Sequence, residues 1–140
     1  MDPSLLPYRP ALFAAALVAA LFMLQTLVGF ISRRRARHPG GVPVEGGHDV
    51  WLWRVDRARA NTVEVIGNFA LLLGLGVLLR ASPSGVAVGA VVFAASRLLH
   101  MGFYYANWQR PRSVAFGFTN VGMIVLLVQV LRAAAGAVSA

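Results

Sequence analysis

RVDRARANTVEVIGNFALLLGLGVLL, residues 54–79, decides the fold. Arg54, Arg57, Asn61, Glu64 and Asn68 recur at intervals of three and four, so they share one face of an α-helix. The same helix runs on through Phe69–Leu79, which is almost wholly apolar. A charged side chain near bilayer depth costs roughly 2.5–3.5 kcal/mol on insertion scales. An aligned row of such residues must therefore face protein or a wet cavity, which marks it as a functional site.

Outward from this stretch the chain reads as a membrane protein. It has 140 residues, only 13% of them charged, against about 25% in soluble domains. Spans are predicted at about 11–32, 50–79, 84–107 and 113–132, each close to the ~20 residues that cross a hydrocarbon core. The expected fold is all-α: an antiparallel, up-down four-helix membrane bundle occupying 1–140 as a single domain. HPGGVPVEGGH at 38–48 is the one Pro/Gly-rich loop, and Asp49 is the predicted N-cap of the second helix. Pro111 is placed to start the fourth helix. Gly85 and Gly89 form a small-xxx-small pair that lets helices approach.

All 13 basic residues are arginine, and the net charge is +8. The distribution reads as topology and not as a nucleic-acid surface. Arg33, Arg34, Arg35 and Arg37 follow the first span, and Arg110 and Arg112 separate the third from the fourth. The positive-inside rule then puts both arginine-rich loops in the cytoplasm and both termini outside. The size and the Arg/Ala/Gly bias point to a bacterial plasma membrane. The first apolar run is too long for a signal-peptide core, and its positive cluster follows it. With no cysteine, the chain has no disulfide and no thiol nucleophile; sulfur chemistry would need a sulfur brought by a ligand. No metal site is expected, since His38 and His48 lie in the loop and no HxxxH or HxxE pattern exists.

A second polar stripe lies on the third span: Arg97, His100 and Tyr104. The second and third helices run in opposite directions, so both stripes reach the cytoplasmic leaflet. Arg34 and Arg35 close the first helix there, and Arg112 begins the fourth. Several of these have a plain alternative: Arg33–Arg37 as a stop-transfer anchor, Arg54 and Arg59 snorkelling to headgroups, Glu64 and Arg97 as a bundle-holding ion pair, and Trp51, Trp53, Tyr105 and Trp108 as interfacial belt. Positive groups outnumber negative ones here, so the natural guest is an anion bearing carboxylates, which arginine grips with paired hydrogen bonds. The bilayer gives lateral access to an apolar co-substrate.

These residues resemble the MAPEG superfamily, the membrane-associated proteins in eicosanoid and glutathione metabolism. The pattern R-x-x-R-A-x-x-N-x-x-E followed by an aromatic is similar to that superfamily's second-helix signature. ISRRRAR at 31–37 resembles the first-helix end of the leukotriene-synthase branch. RLLHMGFY at 97–104 and Arg112-Ser113 resemble segments of the prostaglandin-E-synthase branch. The resemblance implies a homotrimer binding glutathione at subunit interfaces near the cytoplasmic face. It implies glutathione contacts at Arg57, Asn61, Glu64, Arg97, His100 and Tyr104, with Arg34 or Arg35 from a neighbouring helix. It implies that Arg112 is catalytic, stabilising the thiolate. The function expected is a glutathione-dependent transferase or peroxidase acting on lipophilic substrates in contact with membrane lipid. The alternatives are a non-catalytic lipid-binding or scaffold protein of the same fold, or a small drug exporter. The exporter lacks support because the first span carries no acid, only Gln25 and Thr26.

Overall fold

The computed structural model describes residues 3–138. Long apolar runs separated by short polar breaks become four helices: α1 Arg9–Arg35, α2 Trp51–Leu78, α3 Pro83–Tyr105 and α4 Gln109–Val138. Each is long and apolar enough to cross a membrane, and no strand occurs among the described residues. A short 3₁₀ helix, Pro3–Tyr8, precedes α1. Its Tyr8 hydroxyl donates to the Ala81 carbonyl at 2.5 Å, tying the N-terminal segment to the α2–α3 turn.

Each helix buries a narrow inner stripe. In α1 it is Ala11, Ala14, Val18, Leu21 and Gln25, at three- and four-residue steps, and then Ser32, two turns further on. Phe69 of α2 stacks on Phe93 of α3 with ring centroids 4.0 Å apart, at the middle of the core. The most extensive helix pair is α3 with α4. A Cβ added to Gly122 would fall 2.8 Å from the Phe93 nitrogen and 2.9 Å from the Gly89 oxygen, so these backbones meet with no room for a side chain. Gly89 therefore performs the approach expected of it, and Gly122 is its partner. A Cβ on Gly85 would collide with the Gln129 side chain.

The helix ends differ from expectation in instructive ways. Three helices stop on a left-handed residue that is not glycine: Arg37 (φ 52°), Arg80 (φ 51°) and Asn107 (φ 61°). Each stop closes paired backbone bonds, for example Trp108 N to Phe103 O at 2.8 Å and Asn107 N to Tyr104 O at 3.2 Å. That is the Schellman arrangement, which usually uses glycine. At the start of α2 the cap position is Val50, without a side-chain cap bond. Asp49 instead sits in a turn closed by Val50 N to Gly47 O at 3.0 Å. Helix α4 starts at Gln109, before the predicted 113. Pro111 is then the third helical residue, where its missing N–H is one of the unpaired first-turn donors anyway.

The alternating helix directions bring the 36–50 loop and the 106–108 turn to one end of the bundle. That end carries most of the arginines. An ion pair organises it: Arg33 Nη2 donates to Asp56 Oδ1 at 2.7 Å, while its Nη1 donates to the Val42 carbonyl at 3.1 Å. Trp51 Nε1 donates to Ser32 Oγ at 3.0 Å. One arginine of the supposed stop-transfer cluster thus folds the loop back onto the α1–α2 junction.

Candidate functional site

At the arginine-rich end, α2, α3 and α4 surround a cleft of about 220 Å³ lined by Asn61, His100, Tyr104, Arg112, Ser113 and Phe116. Helical register assembles it. His100 and Tyr104 are one turn apart on α3, and Arg112, Ser113 and Phe116 fill the first turns of α4. The three-residue turn at 106–108 is short enough to hold these two helix ends side by side.

The contacts inside the cleft are specific. Asn61 Nδ2 donates to the Tyr104 hydroxyl at 3.2 Å and to the Arg57 carbonyl at 2.8 Å. Its amide oxygen accepts no bond from the described residues and is free to receive a donor from a guest. The Arg112 guanidinium lies over the Tyr104 ring, 4.6 Å from the centroid. This is a cation–π contact, which holds the cation through the ring face and uses no hydrogen-bond donor. The Arg112 side chain makes no hydrogen bond or ion pair with the described residues, so its fork of N–H donors stays available. His100 packs edge-on to Tyr104 at 5.0 Å and against Phe116 at 5.8 Å. Its buried Nδ1 has no hydrogen-bond partner among the described residues.

The polar stripe of α2 divides by function. Asn61 is half-buried in the cleft, whereas Arg57, Glu64 and Asn68 are exposed on the surface. Arg54 turns back to donate to the His48 carbonyl and lies over Trp51 at 5.6 Å, so it secures the loop. Arg34 is exposed on α1, 5.7 Å over its own Phe30 ring, and no residue of α1 lines the cleft.

Arg97 sits elsewhere. It is wholly buried behind the cleft wall, donating from Nη2 to Thr62 Oγ1 at 2.9 Å. Its Nε and Nη1 have no partner among the described residues. Glu64 is not paired with it: among the described residues the one ion pair is Arg33–Asp56. Helical geometry separates the two, because Thr62 points inward while Glu64, two positions on, points outward. Other buried polar groups in the bundle are Gln25, with both amide atoms unpartnered among the described residues, and the hydroxyls of Ser96 and Thr119, 2.9 Å apart. None of these was singled out from sequence for the site. Only the inner-stripe register of Gln25, one turn beyond Leu21, could have signalled its burial.

With this arrangement in view, the comparison with known families is decisive: the MAPEG family matches residues 10–132. The chain is a member of the MAPEG family. The match spans all four helices and every residue of the cleft. No individual curated protein matches the chain. Membership together with four helices able to span a membrane makes this an integral membrane protein, in a family whose members generally use glutathione. No group of three or more potential metal-ligating side chains occurs among the described residues.

Proposed function

We propose that this MAPEG protein binds glutathione at the arginine-rich end of the bundle and activates its thiol toward lipophilic electrophiles or hydroperoxides dissolved in the bilayer. The observation that carries this is Arg112, a permanent cation with no carboxylate partner among the described residues, stacked on Tyr104 at the mouth of the cleft. A guanidinium beside a sulfur favours the charged thiolate, which is the nucleophile.

The cleft volume constrains the pose. At ~30 Å³ per water it holds roughly seven waters, enough for the cysteinyl end of a tripeptide and not for all of it. The remainder runs along the exposed α2 face, where Arg57 takes a carboxylate and Glu64 an ammonium. In this pose Asn61 accepts from the glutathione backbone, while His100 and Tyr104 shape the floor. Arg97 supports that floor from behind. The exposure of Arg57 and Glu64 within one subunit supports a homotrimer, in which Arg34 of a second copy closes the site.

For a halo-arene, the thiolate forms the carbon–sulfur bond and halide leaves with the electron pair. For a hydroperoxide, the thiolate attacks the outer oxygen, releasing an alcohol and a sulfenic acid. A second glutathione then gives the disulfide and water. Calorimetry of the detergent-solubilised protein with glutathione, followed by halo-arene and hydroperoxide turnover, tests the proposal. Binding with turnover supports it. Binding without thiolate or turnover makes the chain a non-catalytic member, and no binding at millimolar glutathione refutes it.

A further inference from the structure

Behind the cleft, three polar side chains form one layer inside the bundle. Gln25 of α1, Thr62 of α2 and Arg97 of α3 are each 0% exposed. Gln25 stands ten residues before the end of α1, Thr62 eleven after the start of α2 and Arg97 eight before the end of α3. At 1.5 Å per residue all three lie ~12–17 Å inside the arginine-rich end. The core gives the same register. Val18, Phe69 and Phe93 belong to one apolar cluster. Toward the arginine-rich end, Gln25 is two turns from Val18, Thr62 two turns from Phe69 and Arg97 one turn from Phe93. Helix α1 packs against both α2 and α3.

This layer holds a cation and, among the described residues, no acid to match it. Glu45 and Asp49 are exposed in the loop before α2, and Glu64 is exposed on the outer face of that helix. Asp56 is taken by Arg33. The hydrogen-bond balance has the same sign. Thr62 Oγ1 is already used, accepting from Arg97 Nη2 and donating to the Ala58 carbonyl. Arg97 Nε and Nη1 and both amide atoms of Gln25 are unpartnered among the described residues. Guanidinium nitrogens only donate, and an amide brings two donors beside one oxygen. Donors therefore exceed acceptors, even if His100 Nδ1, one turn on and also unpartnered among the described residues, serves as an acceptor. A buried charge requires a paired opposite charge. Side chains with no exposed surface cannot receive it from a second copy or from lipid.

We infer that Arg97 and Gln25 hold a small monovalent anion, chloride in physiological solution, inside the bundle. The enclosure selects for size: an atomic ion can enter through a brief opening between helices, whereas a tripeptide cannot. A water molecule would add two donors to a layer already rich in them, and it carries no charge. The anion accepts from Arg97 Nε and Nη1 and from Gln25 Nε2. It thereby ties α1 to the α2–α3 pair that Thr62 and Arg97 already join. This site is separate from the thiol site at Arg112, and it is tested without glutathione.

The experiment is equilibrium dialysis of the protein, solubilised in a neutral detergent, against radiolabelled chloride in gluconate buffer of fixed ionic strength. The wild type should bind one chloride per chain saturably, with bromide competing and gluconate not. Gln25→Leu should weaken binding by about tenfold, typical for one hydrogen bond to a charged group, and Arg97→Met should abolish it. Arg35→Ala and Arg110→Ala, exposed arginines of the same end, should bind as the wild type does. By mass action, chloride well above its dissociation constant should also raise the thermal unfolding midpoint of the wild type and leave that of Arg97→Met unmoved. Absence of saturable chloride binding would overturn the inference and leave water as the guest of the layer. Undiminished binding in Arg97→Met, or loss in Arg35→Ala or Arg110→Ala, would overturn it by placing the ion on the surface. Should Arg97→Met not fold, Gln25→Leu decides: full-strength binding in that variant overturns the inference, and the tenfold loss supports it.

Discussion

Thr62→Val tests the arrangement behind the cleft most sharply. The substitution nearly keeps side-chain shape and removes one oxygen. Among the described residues that oxygen is the sole hydrogen-bond partner of the buried Arg97 guanidinium, accepting Nη2 at 2.9 Å. A hydrogen bond to a charged group is worth about 1.5–3 kcal/mol, and losing it leaves the charge wholly unsatisfied. Arg97→Met should behave differently, since replacing a buried charge by an apolar chain of similar length is often neutral or stabilising. In the Arg97→Met background, Thr62→Val should cost only ~0.5–1 kcal/mol, the worth of an ordinary neutral bond such as Thr62 Oγ1 makes to the Ala58 carbonyl. The difference is a coupling on the order of 1–2 kcal/mol. Dodecyl sulfate titration of the detergent-solubilised variants, followed by circular dichroism, measures it. A neutral Thr62→Val, or an equal cost in both backgrounds, would refute the hydrogen-bond argument. Arg97→Met should also still bind glutathione, because Arg97 lies outside the cleft. Loss of binding in a folded Arg97→Met protein would make it a ligand contact instead.

Other predictions follow from particular contacts. Asn61→Ala should weaken glutathione binding by about 1–2 kcal/mol in calorimetry, since it removes a cleft acceptor and unties Tyr104. Gly122→Ala should destabilise the bundle by ~1–3 kcal/mol, because the new methyl meets backbone atoms of α3. Gly117→Ala, with nothing within 4 Å, should be silent in the same unfolding titration. A reporter fused to the C-terminus should behave as non-cytoplasmic, as the arginine asymmetry requires; a cytoplasmic signal would refute that orientation.

Much of this architecture was legible in the sequence because membrane spans are written in bulk hydropathy. Four spans were expected and four helices formed, with boundaries shifted by a few residues. The shifts arose where local chemistry was unusual: Arg37, Arg80 and Asn107 occupy left-handed stops that glycine ordinarily marks, and Val50 stands where a polar cap was expected. The three-and-four spacing correctly put Arg57, Asn61, Glu64 and Asn68 along one side of α2, but spacing does not say where that side's edge falls. Asn61 lies at the edge and enters the cleft; Glu64 faces outward. Arg97 shared a stripe with His100 and Tyr104, yet its long side chain reaches Thr62, a residue the stripe pattern passed over. The Arg33–Asp56 pair joins residues 23 apart through a loop whose path no periodicity encodes.

The central claim is that Arg112 holds a glutathione thiolate, and ultraviolet thiolate absorbance on adding glutathione reads it directly. The wild type should develop the band, and Arg110→Ala, whose side chain is exposed outside the cleft, should match it. Arg112→Ala should bind glutathione through the remaining contacts, lose the band, and fall on the order of 10²–10³ in kcat, as when one preorganised electrostatic stabiliser is removed. An undiminished thiolate band with normal turnover in Arg112→Ala would contradict the account.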